Sequence, residues 1–323
     1  MGNYLGIDVG SITTKLVVLD ENGHVLAKSY IRNSGRPIEA IQQGMEEIVI
    51  QLGRAIPVHG VATTGSARHL AAYLVGADLI KNEITCHAIA VIDLFPTAKT
   101  IVEIGGQDSK VIVLRNGVVV DFAMNTVCAA GTGSFLEQQA ARIGISIEAF
   151  ADLALKADHP VRIAGRCTVF AETDMIHKQQ IGHSTEDIVA GLSDSLVKNY
   201  LNNVCRGKEI LSPVVFQGGV AANRGIRRAL ERELEVSLVI PEHYDVMGAI
   251  GAAKLVKKAN LPQTQFRGFD LPRKSCSTRG FECGECGNQC EVIELLVDHQ
   301  VVACWGDLCE RYRHPEKDSP VVK

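Results

Sequence analysis

The chain has 323 residues, with 33 Lys plus Arg against 37 Asp plus Glu and 46% apolar side chains, enough for the cores of about two domains and incompatible with disorder as a class. A formal charge of -4, with acids and bases interspersed, leaves no electrostatic footprint for wrapping nucleic acid or lying on an anionic membrane. No apolar run approaches the ~18 residues of a membrane span, and MGNYLGIDVG lacks the basic and apolar regions of a leader, so a cytoplasmic protein is expected.

Residues 4–31 alternate apolar and polar side chains around turns at Gly10-Ser11 and Asn22-Gly23, which predicts a β-meander opening the fold. From Pro37, the apolar positions Ile38, Ile41, Met45, Ile48 and Leu52 step by three and four. They form one stripe on a helix that ends at Gly53 and faces a sheet. HGVATTG (59–65) reads as a short strand entering a glycine turn, with SARHLAAYLVG as a helix behind it. Residues 100–123 then repeat the opening: apolar strand, Gly-rich polar turn, strand, Asn116-Gly117 turn, strand. Asp8-Val9-Gly10-Ser11 aligns with Glu103-Ile104-Gly105-Gly106, about 95 residues on, which is the mark of an internal duplication. Helices are expected at about 132–143, 147–156, 169–181 and 185–204, followed by a strand and glycine turn in PVVFQGGVAAN and a helix after Asn223. The small-residue helix MGAIGAAKLVKK suits tight packing, and residues 259–275 read as a linker.

Three turns carry the chemistry. In GIDVGSITTK, Asp8 precedes small residues (Gly10, Ser11, Thr13, Thr14) whose backbone N–H groups can cradle phosphate, with Lys15 adding charge. An ordinary hairpin with Asp capping its turn accounts for this motif equally well on its own. The second turn, EIGGQDSK, lets backbone approach an anion at Gly105-Gly106, while Glu103, Gln107 and Asp108 offer groups to hold metal-bound water or to orient an attacking water. The third, FQGGVAAN, brings Gly218-Gly219 and Asn223 to a strand end with room for a flat base.

These three turns, in this order, resemble those of the actin, Hsp70 and sugar kinase ATPase superfamily. NTVCAAGTGSFLE (125–137), GRCTVFAETD (165–174), NEITCHA (82–88), IGGQDSK and FQGGVAAN together resemble the activator component of 2-hydroxyacyl-CoA dehydratases, in the family of the benzoyl-CoA reductase ATPase subunits. The resemblance covers residues 4 to about 257. It implies two RNase H-like α/β lobes (1–96 and 97–258) with nucleotide in the cleft, and a homodimer that hydrolyses ATP to ADP. Such a dimer passes single electrons from a [4Fe-4S] cluster to a dehydratase or related reductase, with ferredoxin or flavodoxin as donor. Carried over, Asp8 and the 10–15 turn serve phosphate and Mg²⁺, Gly105 to Asp108 form the second phosphate turn, and Gly218-Gly219 receive the adenosine. Glu103 stands where the family usually has Asp.

Ten cysteines need an account in a reducing compartment. Cys128 and Cys167 are two thiols where a cluster needs four, and a two-fold axis between subunits resolves the count. Each is expected to precede a helix, AAGTGSFLEQQAARI or TVFAETDMIHKQQI, whose N-terminal dipole favours thiolate, with Gly131 and Gly133 close to the cluster. Cys86 and Cys205 read as small buried apolar residues, and His177 is assigned no role. The tail, 276–323, holds Cys276, Cys283, Cys286, Cys290, Cys304 and Cys309. Cys283, Cys286 and Cys290 with Cys276 or Cys304 fill a Cys₄ site for Zn²⁺ or a second cluster, in a small module whose EVIELLVDHQVVAC segment reads as a hairpin. The alternative function is a small-molecule kinase acting on a sugar-type hydroxyl, in which Cys128 and Cys167 would be idle.

Overall fold

The computed structural model describes residues 2–125, 127–309 and 311–312. The chain forms two units, one built from residues up to Ala90 together with those from Gly248 onward, the other from Val91 to Met247.

In the first unit, β1 (Tyr4–Val9), β2 (Thr13–Leu19) and β3 (Val25–Arg32) form the expected antiparallel meander. β4 (Gly60–Thr64) and β5 (Leu79–Ile80) add in parallel, giving the order β3-β2-β1-β4-β5. Helix α1 (Pro37–Leu52) starts with Pro in its first turn, where no N–H is missed, and ends at Gly53 in the left-handed region at φ 70. Its Ile41, Met45 and Ile48 are fully buried against the sheet, joining Leu5, Ile7, Val9 and Leu16 in one core. α2 (Arg68–Val75) and α3 (Glu83–Leu94) follow β4 and β5.

The second unit repeats the plan. β6 (Thr100–Ile104), β7 (Ser109–Arg115) and β8 (Val118–Asn125) form a second meander, turning at Asn116 and Gly117, both at positive φ. β9 (Val214–Gln217) and β10 (Leu238–Val239) complete the order β10-β9-β6-β7-β8, the same arrangement as the first sheet. α4 (Gly133–Ile143), α5 (Ile147–Leu155), α6 (Thr168–Gln180), α7 (Thr185–Asn203) and α8 (Arg224–Leu234) stand within a residue or two of the sequence expectations. Ser146, Ser184 and Asn223 cap α5, α7 and α8 by accepting N–H bonds from Ala149, Asp187 and Ile226. The expected helix over 129–143 is broken at Thr132, whose extended backbone separates a short 3₁₀ turn, Ala129–Gly131, from α4.

Three expectations of organisation need correction. The small-residue helix α9 (Met247–Ala259) lies almost wholly in the first unit rather than the second: a Cβ at Gly6 would run into its Ala249 carbonyl, and one at Gly251 into that of Cys86. Residues 259–275 are a docked strap rather than a linker. Buried Asp78 accepts bonds from Thr264 Oγ1 (2.7 Å) and the Gln265 N–H (2.6 Å), Gln42 donates to the Leu271 and Lys274 carbonyls, and Leu271 is buried in the first core. The hairpin expected at 291–304 forms, but the tail is docked on the first unit rather than a separate module. β11 (Cys276–Glu282), β12 (Glu291–Val297) and β13 (Gln300–Trp305) form a three-stranded antiparallel sheet whose Leu295, Val297 and Ala303 bury in that same core, with Trp305 stacked on Tyr73 of α2 at 5.6 Å. Among the described residues no helix is long and apolar enough to cross a membrane.

Candidate phosphate turns and cysteine segments

The duplication is legible in register. Asp8 lies opposite Lys15 in the β1–β2 ladder, and Glu103 lies opposite Lys110 in β6–β7, so each hairpin carries a buried carboxylate at its inner strand end facing a lysine. Lys15 Nζ is 3.3 Å from Asp8 Oδ2. Lys110, 2% exposed, is 2.9 Å from Glu103 Oε2 and 2.7 Å from Asp108 Oδ2. Taking a lysine this far from water is favourable only with such partners, so Lys110 locks the second turn electrostatically.

Each carboxylate also meets a glycine from the next parallel strand. Gly65, at φ 90 after β4, would place a Cβ 2.6 Å from Asp8 Oδ1, and Gly218, at φ 92 after β9, would place one 2.7 Å from Glu103 Oε1. A side chain is excluded there by both backbone conformation and space. Gly248 crowds Asp8 from a third direction, with a Cβ position 2.7 Å from Oδ2.

The two turns are held differently. Asn33, after β3, donates to the Gly10 carbonyl (2.6 Å) and accepts from Thr14 Oγ1 (2.7 Å), while the Gly10 N–H closes onto the Thr13 carbonyl. Thr14 is thereby spent inside the protein, whereas Ser11 is exposed and its Oγ lies 3.5 Å from that of Ser66. Thr13 is half-buried in the ladder opposite Arg32. In the second turn the Gly105 N–H donates to the Asp108 carbonyl. The turn's own carbonyls accept from α4: Gly133 N–H to Gly105 O at 2.8 Å, and Ser134 N–H (2.8 Å) and Oγ (2.5 Å) to Gly106 O. Gln107 is exposed at the tip and Asp108 half-buried beside it. Gly219 opens a 3₁₀ turn to Ala222, and Asn223 serves as the α8 cap, its buried Nδ2 without a partner among the described residues.

Cys128 and Cys167 are both half-buried. Cys167 directly precedes α6, and Cys128 precedes the 3₁₀ turn that leads into α4. Asn125 clamps the first loop, accepting from the Cys128 N–H (2.9 Å) and donating to its carbonyl (2.7 Å). Asn199 of α7 donates to the carbonyls of Gly165 (2.8 Å) and Arg166 (3.3 Å), just before Cys167. Val127, Val169 and Phe170, beside the two cysteines, are exposed apolar side chains. Cys86 and Cys205 are buried, and loss of solvent pushes their thiols up to about 12 and about 11, so both stay neutral.

In the tail, the Cys283 N–H donates to the Cys290 carbonyl (2.8 Å), closing a loop that contains Cys286. The chain after β13 returns to this loop: Arg311 pairs with Glu285, and Tyr312 packs edge-on against Phe281. Cys276 begins the strand that ends just before Cys283 and lies opposite Val297, about 23 Å from Cys283 at the rise of a strand. Cys304 lies opposite Glu294, well down the ladder. The expectation that either completes a single-ion site with Cys283, Cys286 and Cys290 therefore fails on strand geometry. Among the described residues no three His, Cys, Asp or Glu side chains are gathered to hold a metal.

Asn33, Asn125, Asn199, Lys110 and Gly65 were not singled out from sequence as site residues. Lys110 had a local signal, seven residues after its carboxylate as Lys15 is after Asp8, and Gly65 had one as the glycine ending a strand.

Paired hairpins that present carboxylate, lysine and glycine turns on two like sheets define a duplicated, actin-like ATPase fold. The chain belongs to the BadF/BadG/BcrA/BcrD ATPase family, whose model matches residues 5–256. It is 35% identical over 251 residues to the 2-hydroxyisocaproyl-CoA dehydratase activator of Clostridioides difficile, covering 77% of this chain and 92% of that protein. The crystal structure of component A of the Acidaminococcus fermentans (R)-2-hydroxyglutaryl-CoA dehydratase superposes with a TM-score of 0.75 at 33% identity, over 80% of this chain and 99% of that one. The C. difficile activator with bound ADPNP gives 0.74 at 32% identity, over 80% and 95%. The strands β11–β13 lie beyond the family match.

Proposed function

We propose that this protein is an ATP-hydrolysing activator that hands single low-potential electrons to a 2-hydroxyacyl-CoA dehydratase or a related reductase. The observation that carries this reading is that the second phosphate turn and the Cys128 segment share hydrogen bonds, through Gly133 and Ser134 onto the Gly105 and Gly106 carbonyls. A turn that shifts when phosphate binds or leaves will move α4 and the backbone leading to Cys128 with it.

The donor set fits the implied groups. Each turn offers carboxylate oxygens, Asp8 in the first and Glu103 and Asp108 in the second, of the kind a hydrated Mg²⁺ takes, beside glycines where backbone approaches too closely for a side chain. Asp8 and Asp108 would face the metal's water shell, Gln107 at the tip would orient an attacking water, and the Gly218-Gly219 turn would take the adenosine. Cys128 and Cys167 supply two thiolates per chain, half of what a [4Fe-4S] cluster needs, and the exposed Val127, Val169 and Phe170 beside them suit burial by a second copy in a homodimer. When bound, the cluster supplies the one-electron carrier, fed by ferredoxin or flavodoxin. Nucleotide-linked changes of several kcal/mol in the protein correspond to shifts of a few hundred millivolts, at ~59 mV per 1.4 kcal/mol for one electron. In the tail, a single ion or second cluster would have to draw on Cys283, Cys286 and Cys290, the three cysteines closest in sequence, with Cys309 as a further thiol.

The test is anaerobic purification followed by iron, sulfide and zinc analysis and EPR of the dithionite-reduced protein with and without ATP. One cluster per dimer, with a nucleotide-dependent signal lost in Cys128→Ala, is the expected result. No iron after anaerobic reconstitution, with ATP turnover stimulated by a sugar, overturns the reading.

A further inference from the structure

We infer that Asn199 is a positioning residue that sets the Cys128 and Cys167 segments against each other, an inference that rests on these two cysteines being the cluster ligands. Asn199 is fully buried near the end of α7, and its one amide group touches both segments. Its Nδ2 donates to the Gly165 and Arg166 carbonyls, the two residues before Cys167. Among the described residues its Oδ1 has no hydrogen-bond partner, and it lies against Gly131, where a Cβ would come within 2.8 Å of it. Gly131 stands three residues after Cys128 in the 3₁₀ turn that this cysteine introduces.

The orientation of the amide is forced. Flipping it would set its oxygen against two backbone carbonyls, so the donor side fixes the group and the oxygen is held on Gly131. A buried acceptor without a donor is tolerated only where the surrounding structure over-determines its place. Flanking contacts supply that. Ser195, one turn earlier, donates to the Ala164 carbonyl at 2.6 Å. Tyr200, the next residue, donates its hydroxyl to the Lys110 carbonyl at 2.9 Å, on the strand whose lysine holds Glu103 and Asp108. One turn of α7 therefore touches the second phosphate turn, the Cys167 loop and the Cys128 loop. Asn199 is the point at which the two sulfur-bearing loops are tied.

The test reads the thiols first and the loaded protein second. In the full-length apo protein, iodoacetamide labelling of Cys128 and Cys167 is followed by mass spectrometry for wild type, Asn199→Ala, Gly131→Ala and the double variant, with circular dichroism as a check on folding. Gly131→Ala sits next to Cys128, yet it is expected to change the labelling rate of Cys167 about tenfold by displacing the amide, and to add nothing at Cys167 once Asn199 is alanine. Asn199→Asp, which keeps the volume but loses both donated bonds, should reproduce the Cys167 effect and serves should the alanine variant not fold. In reconstituted protein, Asn199→Ala should release iron to a chelator faster and shift the reduction potential. An unchanged Cys167 rate in Gly131→Ala, or effects that simply multiply in the double variant, overturns the inference. Failure of the wild type to take up a cluster would defeat the proposed function while the labelling cycle still decides whether Asn199 links the loops.

Discussion

The two hairpins are built to one register and charged differently. Asp8 faces Lys15, which is 17% exposed, across a 3.3 Å pair, whereas Glu103 shares the almost fully buried Lys110 with Asp108. The first turn is tied back to its own sheet by Asn33; the second is tied forward to α4, and so to the Cys128 segment. A duplicated scaffold has kept the same carboxylate, lysine and glycine arrangement in both copies. Among the described residues it is the second copy that is hydrogen-bonded onward to the Cys128 segment, so under the proposed function it is the side that would report nucleotide state.

Breaking this contrast should begin with Lys110. Lys110→Met leaves two carboxylates facing each other in a buried turn, and we expect a loss of about 3–5 kcal/mol in denaturant unfolding. The glycine pair should instead behave alike. Gly65→Ala and Gly218→Ala each force a side chain into φ near +90 against a carboxylate oxygen, costing about 1–3 kcal/mol and lowering nucleotide affinity to similar extents by calorimetry. Unequal effects on affinity would mean that the two glycine turns do not serve the nucleotide alike. Trp305→Ala removes the stack on Tyr73 and should cost about 1–2 kcal/mol, with a lowered melting temperature for the whole first unit, because the tail sheet shares its core. Lys15→Met should cost no more than about 1 kcal/mol, since its pair with Asp8 is longer and more solvated than that of Lys110.

The smallest effect concerns Cys86 and Cys205. Both thiols are raised in the fold from an ordinary 9.0, to about 12 and about 11. Below pH 9 they are neutral whether the chain is folded or not, so they add no pH dependence. Above it the unfolded chain loses their protons first, and stability falls as pH rises toward 11 and 12. Alkylation at pH 8 should therefore label Cys128 and Cys167 in the native protein, and Cys86 and Cys205 only after unfolding.

Much of the fold is readable along the chain because its signals are local. Alternation set the two meanders, the three-and-four spacing of Ile41, Met45 and Ile48 set α1, and glycines at strand ends marked the turns. β11 escaped because CSTRGFE is largely exposed and carries no apolar alternation. The strap at 259–275 was read as a linker because its anchor, Asp78, is a single carboxylate nearly two hundred residues earlier.

The sequence alone determined the duplication, the carboxylate and glycine turns, and the pair of cysteines set apart from the tail. Strand register and left-handed backbone depend on neighbours a few positions away. The tertiary structure decided which side chains tie those pieces together: Lys110 between two carboxylates, Asn33 on the first turn, Asn199 across both cysteine loops, and Trp305 against Tyr73. Each of these contacts depends on where the backbone has already been placed, and an asparagine or lysine in a sequence carries no mark of the distant carbonyl or carboxylate it will meet.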